Sequence, residues 1–235
     1  MRLGLVELIG YREWTESLGN DREWIIQYQQ ADMYRLLQRE AAALGGFVLP
    51  LRFDYMLLVS TGISADGHRR VLDVARMSSR IPARMVSIPG GKPARALDEA
   101  HSLLRSARPG EVLYIEGPDG ITTVAHVDIN GISRRTREKG LSESLQVIAR
   151  FVADIVALAA RHGGVAQYLG GDNIIVLLPD GSYEEFARDA VEASDVKVGI
   201  GQAIAPRRAL ELAAIALHEI REGSARGKIN VASDV

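Results

Sequence analysis

Cysteine is absent from the 235-residue sequence, which excludes disulfides, thiolate zinc sites and cysteine nucleophiles. A long apolar run is also absent: the most apolar stretch, 147–160, is interrupted by Arg150 and Asp154 and is too short to span a bilayer. No secretory signal pattern precedes Leu3. We therefore expect a cytoplasmic protein that does not bind a membrane.

The sequence also lacks a large charge of one sign. Its 28 basic and 30 acidic residues are interspersed and give a formal net charge of −2, so we expect no broad basic surface for nucleic acid. An anionic ligand must instead be held by local groups. Hydrophobic residues make up 47% of the chain, which is enough for the core of one large domain or two ordinary ones.

Two carboxylates stand among apolar, mostly β-favouring residues. Asp128 lies in the strand-like run 124–130, and Asp172 follows Gly170 and Gly171 in the hairpin-like run 168–176. An unpaired ionised carboxylate is costly to bury, so a shared cation is the economical interpretation. The two glycines let a phosphate or a base approach the backbone closely. The pattern indicates a site for Mg²⁺ and a nucleoside triphosphate.

The sequence repeats itself. When Gly45-Gly46 is aligned with Gly163-Gly164, Asp54 falls on Asp172. Segments 6–10 and 127–131 also match, as do segments 93–97 and 206–210. Matches that keep their order, with small changes of spacing, are typical of two copies of one domain. We predict an N-terminal domain at 1–117 and a C-terminal domain at 118–235.

Each half is predicted to follow the order βαββαβ, which makes the fold α+β, with two tandem ferredoxin-like, or palm-like, domains and antiparallel sheets. In the second half we predict strands at 122–129 and 196–203, a hairpin at 165–178, and helices at 142–161, 183–193 and 209–222. The first strand is central in this topology, with the two hairpin strands beside it. Asp128 is therefore expected near the turn that carries Asp172.

Several strings resemble the archaeal GTP cyclohydrolase III family. They are Arg52-Phe53-Asp54, Ala125-His126-Val127-Asp128-Ile129-Asn130, Gly170-Gly171-Asp172-Asn173 and Lys197-Val198-Gly199-Ile200-Gly201, with Trp14-Thr15, Arg22-Glu23, Gln27, Gln30, Tyr34 and Glu219-Ile220-Arg221. The resemblance runs in order over nearly the whole chain. The core of the second half also looks like the palm domain of class III nucleotide cyclases and GGDEF enzymes, which by itself leaves the reaction open.

The family resemblance implies a Mg²⁺-dependent homo-oligomer that hydrolyses the imidazole ring of GTP at C8. It also implies a formylaminopyrimidine nucleotide monophosphate as product, for flavin and deazaflavin F420 synthesis. The catalytic site is expected in the second half. The metal site of the first half is expected to be degenerate, because Ile9, flanked by Glu7, stands where the family carries Asp.

With this resemblance, each candidate residue receives a role. Asp128 and Asp172 are the catalytic residues and, with the carbonyl of Ile129, the Mg²⁺ ligands. The nucleotide is expected to contact the loop Asn130-Gly131-Ile132-Ser133, the residues Gly170, Gly171 and Asn173 of the hairpin, and the cations Arg221 and Lys228. A guanine pocket is expected at Arg22, Gln27, Gln30 and Tyr34.

Other interpretations stay open at this point. The Gly-Gly-Asp-Asn string is also an ordinary hairpin turn, Asp128 alone is a possible helix cap, and the pocket residues in 22–34 fit the polar face of a surface helix. His126 is either packed or a proton shuttle. A palm-type nucleotide cyclase or diguanylate-cyclase-like enzyme and a non-catalytic GTP sensor are the alternative functions.

Overall fold

The structure is a computed structural model that describes all residues from Met1 to Val235. The chain forms two compact units. The first consists of Met1–Gly90, Arg95–Gly120 and Ala205–Arg207, and the second of Gly91–Ala94, Ile121–Ile204 and Arg208–Val235. The predicted domain boundary between residues 117 and 118 falls in the segment that connects the sheet of the first unit to that of the second. The catalytic role assigned to 118–235 stays a prediction.

The first unit is built on a five-stranded sheet. Its strands are β1 (Arg2–Leu8), β2 (Phe47–Pro50), β3 (Tyr55–Val59), β4 (Ala83–Pro89) and β5 (Val112–Tyr114), in the spatial order β2-β3-β1-β4-β5. Its helices are α1 (Tyr11–Ser17), α2 (Glu23–Ala43), α3 (Ala65–Ser79) and α4 (Pro93–Leu103), followed by a 3₁₀ turn at Leu104–Ser106.

The second unit repeats this arrangement. Its strands are β6 (Thr122–Ile129), β7 (Val165–Gly170), β8 (Asn173–Leu178), β9 (Val196–Ala203) and β10 (Ile229–Ser233), in the spatial order β10-β9-β6-β8-β7. Its helices are α5 (Ile132–Lys139), α6 (Leu141–Arg161), α7 (Tyr183–Ala193) and α8 (Pro206–Glu222). The prediction of two tandem ferredoxin-like domains in an α+β fold is confirmed.

The sheets differ from the predicted ones in two respects. Each has a fifth strand, β5 or β10, that runs parallel to its neighbour β4 or β9, so the sheets are not wholly antiparallel. These short edge strands carry a weak local signal and exist through pairing with a distant strand. In addition, only β8 pairs with β6, whereas β7 lies at the edge of the sheet. The prediction that both hairpin strands lie beside the first strand is therefore wrong.

Alternation along β6 divides its side chains between the two faces of the sheet. Ala125 and Val127 belong to the core that includes Phe151 of α6 and Phe186 of α7. His126 and Asp128 consequently point to the opposite face.

Helix α8 packs very closely against that opposite face, at Gly199 and Gly201 of β9. A Cβ on Gly201 would lie 1.9 Å from the carbonyl oxygen of Ala209, and one on Gly199 would lie 2.3 Å from that of Ala213. Only glycine permits this approach of backbone to backbone. The two glycines therefore set the position of the last turn of α8, which carries Arg221.

We expect Gly201→Ala to lower the free energy of unfolding by about 3 kcal/mol, because the new methyl group collides with the backbone of α8. Denaturant unfolding measures the change. Gly91→Ala is the control, since its Cβ meets no atom within 4 Å. Equal unfolding free energies for the two variants would contradict the close packing.

Candidate functional site

Asp128 lies near the carboxyl end of β6, in register with Asn173 of β8 and Lys197 of β9. The residue is only 5% exposed, and its Oδ1 accepts a hydrogen bond of 2.5 Å from Nη2 of Arg221. A buried carboxylate needs such a cation because it has lost most of its hydration. The Arg221 side chain is 44% exposed, so the guanidinium also reaches solvent beside the carboxylate.

Asp172 occupies the turn between β7 and β8. Gly170 and Gly171 adopt φ values of 110° and 62°, a region that a side chain strains, so the glycine pair makes this turn possible. Asn173, the residue after Asp172, is paired with Asp128 across the sheet. The register thus brings the two predicted carboxylates to the same end of the sheet.

A hydrogen-bonded chain leads from His126 to Asp172. Nδ2 of Asn173 donates to Oδ1 of Asp172 at 3.0 Å, and Oδ1 of Asn173 lies 2.8 Å from Nε2 of His126. Burial lowers the pKa of His126, against the opposing effect of the Asn173 hydrogen bond. The neutral ring therefore donates its Nε2 proton to Asn173, which orients that amide toward Asp172.

The loop after β6 leads into α5. Asn130 is tied to Asp195 twice, by its backbone N–H at 3.0 Å from the Asp195 carbonyl and by Nδ2 at 2.8 Å from Oδ1. Its N–H group is thus engaged within the protein, whereas Gly131, Ile132 and Ser133 form the open amino end of the helix. These three N–H groups are the ones available to a phosphate.

Lys228 is placed at the same end of the unit. Its Nζ donates to Oδ1 of Asp195 at 2.7 Å. The Lys228 hydrogen bond, and after it the one from Asn130, lower the pKa of the Asp195 carboxyl. The structure therefore brings Lys228 to Asp195, and Arg221 to Asp128.

A cavity of about 380 Å³ opens beside this loop. Its volume lies in the range of small-molecule sites. Its lining combines apolar side chains from β6, α5, α6 and β9 with charged and polar groups: Ile129, Asn130, Ile132, Arg135, Val147, Arg150, Phe151, Asp154, Ser194, Asp195 and Val196. Most of these residues were not predicted from the sequence. The repeat offered a signal for these lining residues, because the positions that match them in the first half carry other residue types.

The matching cavity of the first unit is filled. It measures about 10 Å³ and is lined by Tyr11 and Trp14, whose ring centroids are 5.3 Å apart. Tyr11 and Trp14 occupy the positions of Ile132 and Arg135 in the repeat. A ligand-sized space at this position is thus a property of the second unit.

The carboxylates of the first unit are paired with arginines. Glu7 holds the register of Asp128, in agreement with the repeat of segment 6–10 in segment 127–131: it pairs with Tyr55 and Arg84 across the sheet. Nε of Arg84 donates to Glu7 Oε2 at 2.6 Å, and the Tyr55 hydroxyl donates to Oε1 at 3.1 Å. Asp54 is held by both Nε and Nη2 of Arg52.

The four residues predicted for a base pocket lie on or beside α2. Nε2 of Gln30 donates to the Tyr11 hydroxyl at 2.5 Å, and the Tyr34 hydroxyl donates to the Val48 carbonyl at 3.4 Å. Gln27 is exposed, and Arg22 lies 3.7 Å from the Glu23 carboxylate. The Gln30 amide nitrogen and the Tyr34 hydroxyl thus have partners inside the unit, and a role in base binding stays a prediction.

The donor set at the end of β6 suits a hard cation. The structure contains no group of three or more His, Cys, Asp or Glu side chains able to hold a metal ion. Mg²⁺ does not require three such side chains, because it binds to one or two carboxylates together with water and substrate phosphates. The carboxylates of Asp128 and Asp172 and the carbonyl of Ile129 are all oxygen donors and fit this requirement.

Comparisons with known proteins point to one family. The family profile described as GTP cyclohydrolase III matches residues 3–234. A GTP cyclohydrolase III from Aeropyrum pernix is 46% identical over 224 residues, which are 94% of this chain and 92% of the relative. One from Pyrobaculum aerophilum is 33% identical over 232 residues, which are 98% and 97% of the two chains.

Among solved structures, a GGDEF domain from Pseudomonas aeruginosa is similar with a TM-score of 0.41 and 22% identity. The match covers 60% of this chain and 91% of that one. At this TM-score the similarity has no bearing on function. Separately, no helix of the structure combines the length and the apolar character that crossing a membrane requires. The full-length sequence match confirms the resemblance seen in the motifs: the chain belongs to the GTP cyclohydrolase III family.

Proposed function

We propose that this protein is a Mg²⁺-dependent hydrolase of the imidazole ring of GTP. The product is 2-amino-5-formylamino-6-(5-phosphoribosylamino)pyrimidin-4(3H)-one, with release of phosphates. Membership of the family supports the ring-opening reaction on GTP. The observation that carries the assignment to a site is the pairing of β6 with β8, which brings Asp128 and Asp172 to one end of the sheet.

Different residues bind the metal ion, the phosphates and the rest of the nucleotide. Asp128, Asp172 and the Ile129 carbonyl hold Mg²⁺, which neutralises phosphate charge and makes water more acidic when it is bound. The N–H groups of 131–133 at the amino end of α5 donate to phosphate oxygens. Gly170 and Gly171 carry no Cβ, so the nucleotide can lie against the turn.

Arg221 and Lys228 supply the remaining positive charge. Each is bonded to one carboxylate and keeps donors free, and the Arg221 and Lys228 side chains are 44% and 45% exposed. An exposed guanidinium beside the metal ligands can contact a phosphate while it still orients Asp128. Asn173 orients Asp172, and His126 in turn orients Asn173.

The bond changes follow from the product. Water adds across the N7=C8 bond, with its hydroxyl on C8 and a proton on N7. The C8–N9 bond then breaks, the hydroxyl proton passes to N9, and the resulting formyl group stays on N7. Separate hydrolysis of phosphoanhydride bonds leaves the monophosphate. The residues' contribution is to hold the purine and the phosphates in one orientation and to stabilise negative charge as it develops. A cytoplasmic location and assembly into a homo-oligomer stay predictions.

The product that the protein forms from GTP in the presence of Mg²⁺ identifies the reaction. We expect a mass that contains the added water, together with loss of the imidazole absorbance, and no reaction after chelation of the metal. A cyclic nucleotide would instead indicate a palm-type cyclase, and tight binding of unaltered GTP would indicate a sensor. Either result contradicts the proposal.

Asp128→Asn and Asp172→Asn should each lower kcat for ring opening by about a hundredfold or more, because each removes a charged metal ligand. Initial rates from the absorbance change measure the effect, and circular dichroism verifies the fold. A variant with the wild-type rate would remove its aspartate from the mechanism.

Glu7→Gln is the matched variant in the first unit, since Glu7 holds the register of Asp128. We expect its ring-opening rate to stay within about twofold of wild type, because Glu7 is bonded to Arg84 and Tyr55 and holds no substrate. A loss as large as that of Asp128→Asn would place a second catalytic centre in the first unit.

A further inference from the structure

Asp195 lies in the turn between α7 and β9, at the end of the sheet that carries Asp128. Its Oδ1 accepts two hydrogen bonds, from Nζ of Lys228 at 2.7 Å and from Nδ2 of Asn130 at 2.8 Å. We propose that Asp195 is a positioning residue, which holds the Lys228 ammonium group and the loop after β6 in the arrangement that receives the phosphates of the nucleotide. This inference rests on the proposed function, and it adds a residue that acts on the substrate only through its neighbours.

The three bonded residues each adjoin the end of a strand, next to a side chain that packs in or against the core beside α6 and α7. These core-packed neighbours are Ile129, Val196 and Ile229. Alternation along the strands directs the next side chain to the opposite face of the sheet, to which Asp128 also points. Asn130, Asp195 and Lys228 thus lie on the face of the predicted Mg²⁺ ligand.

One main-chain hydrogen bond at this end of the sheet occurs in both units. The N–H of Asn130 donates to the Asp195 carbonyl at 3.0 Å. In the first unit, the N–H of Ile9 donates to the Pro82 carbonyl at 2.7 Å. The two bonds are equivalent, because each lies one residue beyond the pairing of β6 with β9 or of β1 with β4. Isoleucine and proline have no side-chain group for a hydrogen bond, so the fold forms here without a tie between side chains.

The position of Lys228 is also repeated in the first unit, where it carries the opposite charge. The N–H of Val198 donates to the Lys228 carbonyl at 2.8 Å. At the equivalent place of the first unit, the N–H of Met85 donates to the Glu111 carbonyl at 3.0 Å. The Glu111 carboxylate accepts from the backbone N–H of Arg108 at 2.7 Å, within its own turn. A lysine bonded to a carboxylate at this place is thus a property of the second unit, and the fold does not require it.

Two effects of the Asp195 carboxylate on phosphate binding oppose each other. The carboxylate holds Lys228, and a lysine that is already held loses less rotamer freedom when it binds a phosphate. The hydrogen bonds from Lys228 and Asn130 also lower the pKa of the Asp195 carboxyl, so the group is charged at neutral pH and repels phosphate. Because the Asp195 side chain is 72% exposed, water and salt screen this repulsion. We therefore expect the positioning effect to be the larger.

Equilibrium binding of GTP and of guanosine tests the inference, measured after chelation of the metal so that no ring opening is expected. Guanosine carries no phosphate. We expect Asp195→Ala to raise the Kd for GTP about tenfold and to leave the Kd for guanosine unchanged. Asp195→Asn keeps an oxygen acceptor, so its Kd for GTP should fall between those of wild type and Asp195→Ala. A damaged fold would weaken both ligands, and circular dichroism verifies that the fold is intact.

A double-mutant cycle with Lys228→Met separates positioning from an independent effect. If Asp195 acts through Lys228, Asp195→Ala should raise the Kd for GTP by about threefold or less once the lysine is gone. Independent effects would multiply instead. Asp180→Ala is the matched control, because Asp180 is an exposed aspartate in the turn before α7, and it should keep the wild-type Kd for both ligands.

Three outcomes would overturn the inference: a wild-type protein that binds GTP no more tightly than guanosine, an Asp195→Ala variant that binds GTP as tightly as wild type or more tightly, or effects of Asp195→Ala and Lys228→Met that multiply. Ring opening of GTP with Mg²⁺, measured in parallel, separates this test from the proposed function. The expected affinities without ring opening would refute only the proposed reaction. Ring opening with an unchanged Kd in Asp195→Ala would refute only the role of Asp195.

Discussion

The close approach of α8 to β9 is the contact on which the site depends. Asp128 is nearly buried, and an ionised carboxylate in that environment requires a cation. Arg221 supplies the cation only because Gly199 and Gly201 let the helix backbone rest on the strand. The interaction is local in space, yet it joins residues that are far apart in the chain. The Mg²⁺ site proposed at Asp128 would thus lie beside a protein cation that already stabilises the same charge.

The two units use one framework for different purposes. In the first unit Arg84 on β4 pairs with Glu7 and also donates to the Ala107 carbonyl, so the cation is part of the sheet's own structure. In the second unit the partner of Asp128 is Arg221, near the end of a helix and partly exposed. A strand arginine with several fixed partners is expected to stay in place, whereas a helix-end arginine can turn toward a ligand.

The matching cavities of the two units differ in the same way. Aromatic rings fill the space in the first unit and stabilise it by burial and ring contact. The second unit leaves the space open, and of the charged residues that line it, Arg135 and Asp195 have ion-pair partners whereas Arg150 and Asp154 have none. An open cavity of this size, lined by apolar side chains and a few polar groups, is typical of a binding site.

Local patterns predicted much of this protein. The strand at 122–129, the helix at 183–193 and the strand at 196–203 have the predicted bounds, because alternation and helical periodicity are strong there. The short strands β5 and β10 were missed, since they depend on hydrogen bonds to strands outside their own segment. The repeat of segment 6–10 in segment 127–131 aligns Glu7 with Asp128, and the sheet register places the two residues equivalently.

The amino-acid sequence by itself determined the repeat, the fold class, the choice of the two aspartates as site candidates and the family. These features follow from the order and type of neighbouring residues. The tertiary structure alone decided which cation meets which carboxylate, and which of two equivalent cavities is open. Those features depend on distances between segments separated by tens of residues, and the close packing that sets the distances arises only when the whole sheet and its helices assemble.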